Sequence, residues 1–92
     1  MKSKKWVRSS EILHSEVGNE AILMSIQNSF YYGLDEIASR VGSMLEVPKS
    51  IPELCSILQD EFEVDEDACV RDVSDLLEEL QKRDLIREVT PA

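Results

Sequence analysis

Ser29-Phe30-Tyr31-Tyr32-Gly33-Leu34-Asp35-Glu36-Ile37 is where the chain changes its period. Up to Leu34 the side chains alternate as they do along a strand, with successive residues on opposite faces. Asp35 is a good helix N-cap, and after it Ile37, Val41, Met44 and Leu45 recur at helical spacing until Pro48 stops the helix. The stretch therefore joins a last strand, residues 29–33, to a first helix. Phe30, Tyr32 and Leu34 share one strand face, read as inward, and Tyr31 lies on the other. A strand that comes last in a small antiparallel set can keep one edge unpaired. Such an edge is a template for another peptide.

Upstream, Gly18-Asn19 is a two-residue hairpin signal, because both residue types tolerate positive φ. It predicts antiparallel strands over 11–17 and 20–26. In the second, Ile22, Met24 and Ile26 alternate with Ala21, Leu23 and Ser25, so both faces are apolar, as in a central strand. Gln27-Asn28 makes the next turn. Residues 1–9 read as a flexible arm, with Trp6 and Val7 available to anchor it.

Downstream, Ser50-Ile51-Pro52-Glu53 carries the residues of a capping box, with proline in the first turn. Ile51, Leu54, Cys55, Leu58 and Phe62 then share one helix face. Asp65 caps a third helix, and Val64 and Cys69 are spaced for a hydrophobic staple. This helix is strongly amphipathic. Cys69, Val70, Val73, Leu76, Leu77 and Leu80 form its apolar stripe, and Asp72, Asp75, Glu78, Glu79, Lys82 and Arg83 its other faces. The stripe is wider than one packing partner needs. Val70, Val73, Leu77 and Leu80 read as core; Cys69 and Leu76 fit core and groove equally. Residues 85–89 alternate like a short final strand, in the place of a wing. The sum is an α+β fold: a winged helix-turn-helix with a three-stranded antiparallel sheet and three helices, forming one domain over 10–90.

Ninety-two residues make one small domain, and 42% apolar residues suffice for a core. A net charge of −9 repels phosphate backbones and favours a basic or neutral partner, besides keeping a small protein soluble. Cys55 and Cys69 form no CxxC pair and His14 is the sole histidine, so no metal centre or cofactor is expected. Both cysteines fall at apolar helix positions and read as buried and reduced. His14 stands outside any nucleophile motif and reads as a solvated or satisfied strand histidine. Phosphate-loop patterns are absent, and no enzyme activity is expected. The basic N-terminus lacks a following apolar region and no run spans a membrane, so a cytoplasmic location is expected.

Several pieces together resemble the PqqD family, also called the RiPP recognition element. They are Glu16-Val17-Gly18-Asn19-Glu20-Ala21, Tyr32-Gly33-Leu34-Asp35-Glu36-Ile37-Ala38, Ser50-Ile51-Pro52-Glu53-Leu54, and Asp72-Val73-Ser74-Asp75-Leu76-Leu77-Glu78-Glu79-Leu80 followed by Leu85-Ile86. The resemblance covers about 12–89. It implies a protein that binds the leader segment of a ribosomally made precursor peptide by strand addition and presents it to a modifying enzyme. A chain of this size resembles the stand-alone form from lasso-peptide pathways, which works beside a cysteine protease that removes the leader. A pyrroloquinoline quinone pathway is the other option. By position, the resemblance implies an edge strand of Ser29, Phe30, Tyr31, Tyr32 and Gly33. It implies a helix wall of Cys69, Asp72, Val73, Leu76 and Glu79.

Two rival functions fit the same topology, since fold alone does not assign function. One is a winged-helix DNA-binding domain. Against it, the third helix is lined with Asp and Glu, with Lys82 and Arg83 at its end, whereas a reading helix brings cations to the groove. The other is a generic interaction or dimerisation domain using the same free edge.

Overall fold

The computed structural model of the chain describes residues 4–18, 20–26 and 29–89, without the side chains of Val17 and Phe30. Asn19 of the hairpin signal, the Gln27-Asn28 turn and the facing of Phe30 lie outside the described residues. The order is β1 (Lys5–Arg8), β2 (Ile12–Val17), β3 (Glu20–Ser25), β4 (Phe30–Leu34), α1 (Glu36–Met44), α2 (Ile51–Glu61), α3 (Glu66–Lys82) and β5 (Ile86–Val89). β2, β3 and β4 form an antiparallel sheet in that order, and β1 pairs with β5 in a second, two-stranded sheet. The α+β class, the three helices and the three-stranded sheet match the sequence expectation. The β1–β5 sheet does not figure in it.

The strand before α1 starts at Phe30 and includes Leu34, one residue later than expected at each end. Ser29 has φ 51°, a left-handed turn conformation that does not continue a ladder. In β3, Ala21, Leu23 and Ser25 face the core, while Ile22 lies outward. Tyr32 packs against the core and Tyr31 is exposed.

Residues 1–9 were expected to form an arm, but Lys5–Arg8 are a strand held on both sides. One side pairs with β5 in the register Lys5↔Val89 to Arg8↔Ile86. On the other, Trp6 N–H donates to the Lys49 carbonyl at 2.8 Å and Arg8 N–H to the Leu45 carbonyl at 2.8 Å. Trp6 Nε1 donates to Gln81 Oε1 at 3.1 Å, which makes it the anchor the sequence suggests. Four residues are too few to show a period, and every partner is distant in sequence.

All three helix starts are built as their residues predict. Asp35 Oδ1 accepts from Ala38 N–H at 2.9 Å, Asp65 Oδ2 from Ala68 N–H at 3.2 Å, and Ser50 with Glu53 completes a reciprocal capping box. The end of α3 is a Schellman turn. Leu85 N–H donates to the Leu80 carbonyl and Asp84 N–H to the Gln81 carbonyl, both at 3.0 Å, with Asp84 at φ 58°. Leu80 and Leu85, the two apolar partners of that turn, are both fully buried.

The core joins Leu23 and Leu34 of the sheet, Val41 of α1, Leu54 and Leu58 of α2, Val73, Leu77 and Leu80 of α3, and Leu85. Each such leucine contributes roughly 1.5–3 kcal/mol by leaving water. Val70, expected in the core, is exposed instead. It lies at the edge of the stripe farthest round the helix from Leu76. Gly42 lets α1 ride close on the sheet: a Cβ there would sit 3.0 Å from Leu34 Cδ1. His14 is also under α1, largely buried, with Nε2 3.9 Å from Glu16 Oε1 and no hydrogen bond among the described residues. Its Nε2 is therefore buried without a hydrogen-bond partner among the described residues, with the Glu16 carboxylate nearby.

The Ser50–Glu53 box gives two expectations. Ser50→Ala removes the acceptor for Glu53 N–H and should cost about 1 kcal/mol, read as a fall in Tm of roughly 4–8 °C. The Ser50 N–H, which donates to the Glu53 carboxylate, holds that group below its usual range. A depressed folded pKa contributes stability above the ordinary glutamate value and loses it as pH falls through the folded one. The Tm of the wild type should therefore drop more steeply below about pH 4.3 than that of Glu53→Gln.

Candidate functional site

β4 pairs with β3 on one side, and its other edge has no strand partner among the described residues. Its carbonyls and amides along that edge are the groups a further strand would use. Tyr32 of β4 is held from within. The Arg83 guanidinium lies 5.2 Å from the centre of the Tyr32 ring, and Arg83 Nε also donates to Glu79 Oε1 at 2.8 Å. The end of α3 is thereby placed over the inner face of β4.

β4 runs through Leu34 into Asp35, and Asp35 lines a cavity of about 260 Å³ with Ile37, Ala38, Val41, Asp72, Val73 and Leu76. A neighbouring cavity of about 280 Å³ shares Ile37, Asp72 and Val73 and continues to Leu58, Val64, Ala68 and Cys69. The two make one trough along α3, walled opposite by the first turn of α1. Its floor is apolar. Its rim carries Asp35, Glu63, Asp65 and Asp72, and no Lys or Arg lines either cavity. Two of these carboxylates are also helix caps, so their positions are fixed by backbone hydrogen bonds. Among the described residues no group of three or more His, Cys, Asp and Glu is placed to hold a metal ion.

Of the ten residues singled out from sequence, Cys69, Asp72, Val73 and Leu76 come together in the trough. Val73 and Cys69 are nevertheless buried and belong to the core as well; Leu76 is half-buried. Glu79 lies farther along α3, paired with Arg83, and lines neither cavity. Phe30, Tyr31, Tyr32 and Gly33 are in the edge strand, and Ser29 is in the turn before it. Sequence reasoning missed Ile37 and Ala68 as lining residues. Ile37 was placed with the core stripe of α1, yet it is 38% exposed and lines both cavities. The signal was available: Ile37 is one turn ahead of Val41, at the end of the helix that overhangs α3.

Cys55 and Cys69 are both buried and free, facing each other between α2 and α3. Burial, with the neighbouring Cys69 thiol, pushes the Cys55 thiol up to about 12. A thiol held that high stays protonated at neutral pH, which makes Cys55 a poor nucleophile in the folded state.

The model of the family described as coenzyme PQQ synthesis protein D (PqqD) matches residues 20–86. Two solved structures are similar over most of their length. One, described as TbiB1 in complex with the TbiA(beta) leader peptide, is 30% identical, with 88% of this chain and 94% of that one covered and a TM-score of 0.81. The other, described as lasso peptide synthetase B1 complexed with the leader peptide, is 20% identical, with 89% and 96% covered and a TM-score of 0.77; at that identity it speaks for the fold. A comparison with curated proteins gave no match.

The buried thiols make a direct check on the floor of the trough. A thiol reagent such as DTNB at pH 8 should leave both cysteines unmodified in the native protein and react with two thiols in denaturant. Fast modification of one thiol in the native state would place Cys69 open to solvent.

Proposed function

We propose the following for this chain, which belongs to the PqqD family: it captures the leader segment of a ribosomally made precursor peptide and presents it to the enzyme that acts on it. The leader adds as a strand to the free edge of β4, and its side chains settle into the trough along α3. The observation that carries this reading is the meeting of the two at Asp35: a strand edge unpaired among the described residues leads straight into an apolar, carboxylate-rimmed trough. The complex of the 30% identical protein TbiB1 with a leader peptide supports it.

Strand pairing supplies affinity without reading side chains, and the trough supplies selection. Two apolar anchors at roughly 1.5–3 kcal/mol each, with several backbone hydrogen bonds, are enough for micromolar binding at about −8 kcal/mol. That holds after about 2–5 kcal/mol is lost in ordering the leader. Asp35 and Asp72 at the rim favour a leader with Lys or Arg beside its apolar anchor. The site residues are Phe30, Tyr31, Tyr32 and Gly33 for the backbone pairing, with Ser29 leading in. Cys69, Asp72, Val73, Leu76 and the newly identified Ile37 form the trough, and Glu79 lies beyond its far end with its carboxylate engaged by Arg83. The chain has no catalytic part in this scheme. The enzyme partner is a leader peptidase of the cysteine protease type in a lasso-peptide pathway, and the setting is the cytoplasm. Among the described residues no helix is long and apolar enough to cross a membrane.

Titration with a fluorescent leader peptide from the cognate precursor tests this. Binding in the micromolar range or tighter is expected, with the largest amide NMR shifts in Phe30–Leu34. Ile37→Asp should weaken binding about tenfold or more, the cost of one lost anchor, while the Tm stays near wild type because the side chain is partly exposed. Leu76→Asp should do the same with some loss of Tm, since Leu76 also packs on the core. Absence of binding, or shifts confined to another surface, would overturn the assignment.

A further inference from the structure

Among the described residues, nothing covers the side of the β2–β3–β4 sheet turned away from the helices, and it is largely apolar. The register places Leu13, Met24 and Tyr31 in one row across it, and Ser15, Ile22 and Gly33 in the next. Ile26 continues the outward alternation of β3. Leu13 is 50% exposed, Ile22 40%, Ile26 60% and Tyr31 66%. Four of the seven large apolar side chains that the described residues expose are therefore on this one face. Scattered exposed apolar residues are ordinary, but a contiguous set marks an interaction surface. The molecule measures 36 × 35 × 18 Å, a slab with room for sheet and helices but no third layer.

Charge decides what covers this face. Residues 9–39, which hold all three of its strands, contain Glu11, Glu16, Glu20, Asp35 and Glu36 and no Lys or Arg. Glu11 and Glu20 are exposed and share the outward alternation of β2 and β3, so they border the apolar rows. A second copy would bring the same carboxylates against them, with a net charge of −9 on each chain. The leader is not the occupant either, because it takes the β4 edge and the trough on the helix side.

We infer that this outer sheet face docks a folded partner protein whose own face is apolar and edged with Lys and Arg, and that it does so while the leader is bound. The face is continuous with the peptide site through Tyr31, whose strand carries both, so the partner is held beside the captured peptide. The partner most in need of that placement is the leader peptidase. This identification rests on the function proposed above.

The test uses the full chain, the leader peptide and the purified cysteine peptidase encoded with the precursor. The triple variant Leu13→Thr, Ile22→Thr, Ile26→Thr keeps strand-forming residues and alters no residue of the trough. It should weaken peptidase binding at least tenfold, with leader affinity within twofold of wild type and an unchanged circular dichroism spectrum. Glu11→Lys with Glu20→Lys should weaken peptidase binding and reverse its salt dependence. Peptidase binding unchanged in the triple variant would overturn the inference. So would a wild type that does not bind the peptidase, or a dimer in sedimentation that the triple variant dissolves. Failure of the leader to bind would be a separate result: it removes the proposed function, whereas the docking face is judged by the peptidase titration alone.

Discussion

Burial of the α3 face that carries Val73, Leu77 and Leu80 fixes where nearly everything else lies. That face packs on Leu54 and Leu58 of α2, and its last leucine closes the Schellman turn with Leu85. The turn sends β5 back along the body, where it pairs with β1, while Gln81 of α3 accepts from Trp6 Nε1. The same helix presents Asp72 and Leu76 to the trough from the adjoining stripe. Core and candidate site thus share one rigid element. The α3 wall of the trough cannot shift without exposing leucines at roughly 1.5–3 kcal/mol each.

The opposite wall is secured differently. Arg40 of α1 clasps Glu61 at the end of α2 through two bonds, Nε to Oε1 at 2.7 Å and Nη2 to Oε2 at 2.8 Å. The guanidinium holds the Glu61 carboxyl below its usual range. Exposed ion pairs contribute little on average, and two-point geometry is the case where they contribute most. This pair ties α1 to the residues just before Val64, where the trough ends. Gly42 adds to it by letting α1 lie close against Leu34. Both walls are therefore set before any guest arrives, which is the economical arrangement for binding an unfolded peptide.

Much of this was readable in the sequence because it depends on local chemistry. Asp35, Ser50 with Glu53, and Asp65 cap their helices as their residue types require. The change of period after Leu34 marks the strand-to-helix joint, and the apolar residues on both faces of β3 mark a central strand. What escaped depends on distance. β1 is four residues long and owes its state to Leu45, Lys49 and β5, none of them near in sequence. Ile37 and Val70 each extend an apolar stripe past the width that the neighbouring element covers, and periodicity carries no record of that width. For the same reason Val73 serves the core and the trough together, and Glu79 is drawn off to Arg83. The order and spacing of whole segments pointed to the candidate site, and the packing of three helices selected the side chains that line its trough.

The pairing of Lys5 with Val89 brings the two ends of the described chain side by side. Facing residues in antiparallel strands have Cα atoms about 4.5–5.5 Å apart. A domain whose ends leave together is a cassette: it can be spliced into a loop of a larger protein, or rejoined end to end and opened elsewhere, with little strain. The ends leave from the β1–β5 ribbon, a separate sheet from the one whose edge lies open at β4. A fold of this kind is accordingly portable: it can stand as a separate chain or be built as a module into a larger one.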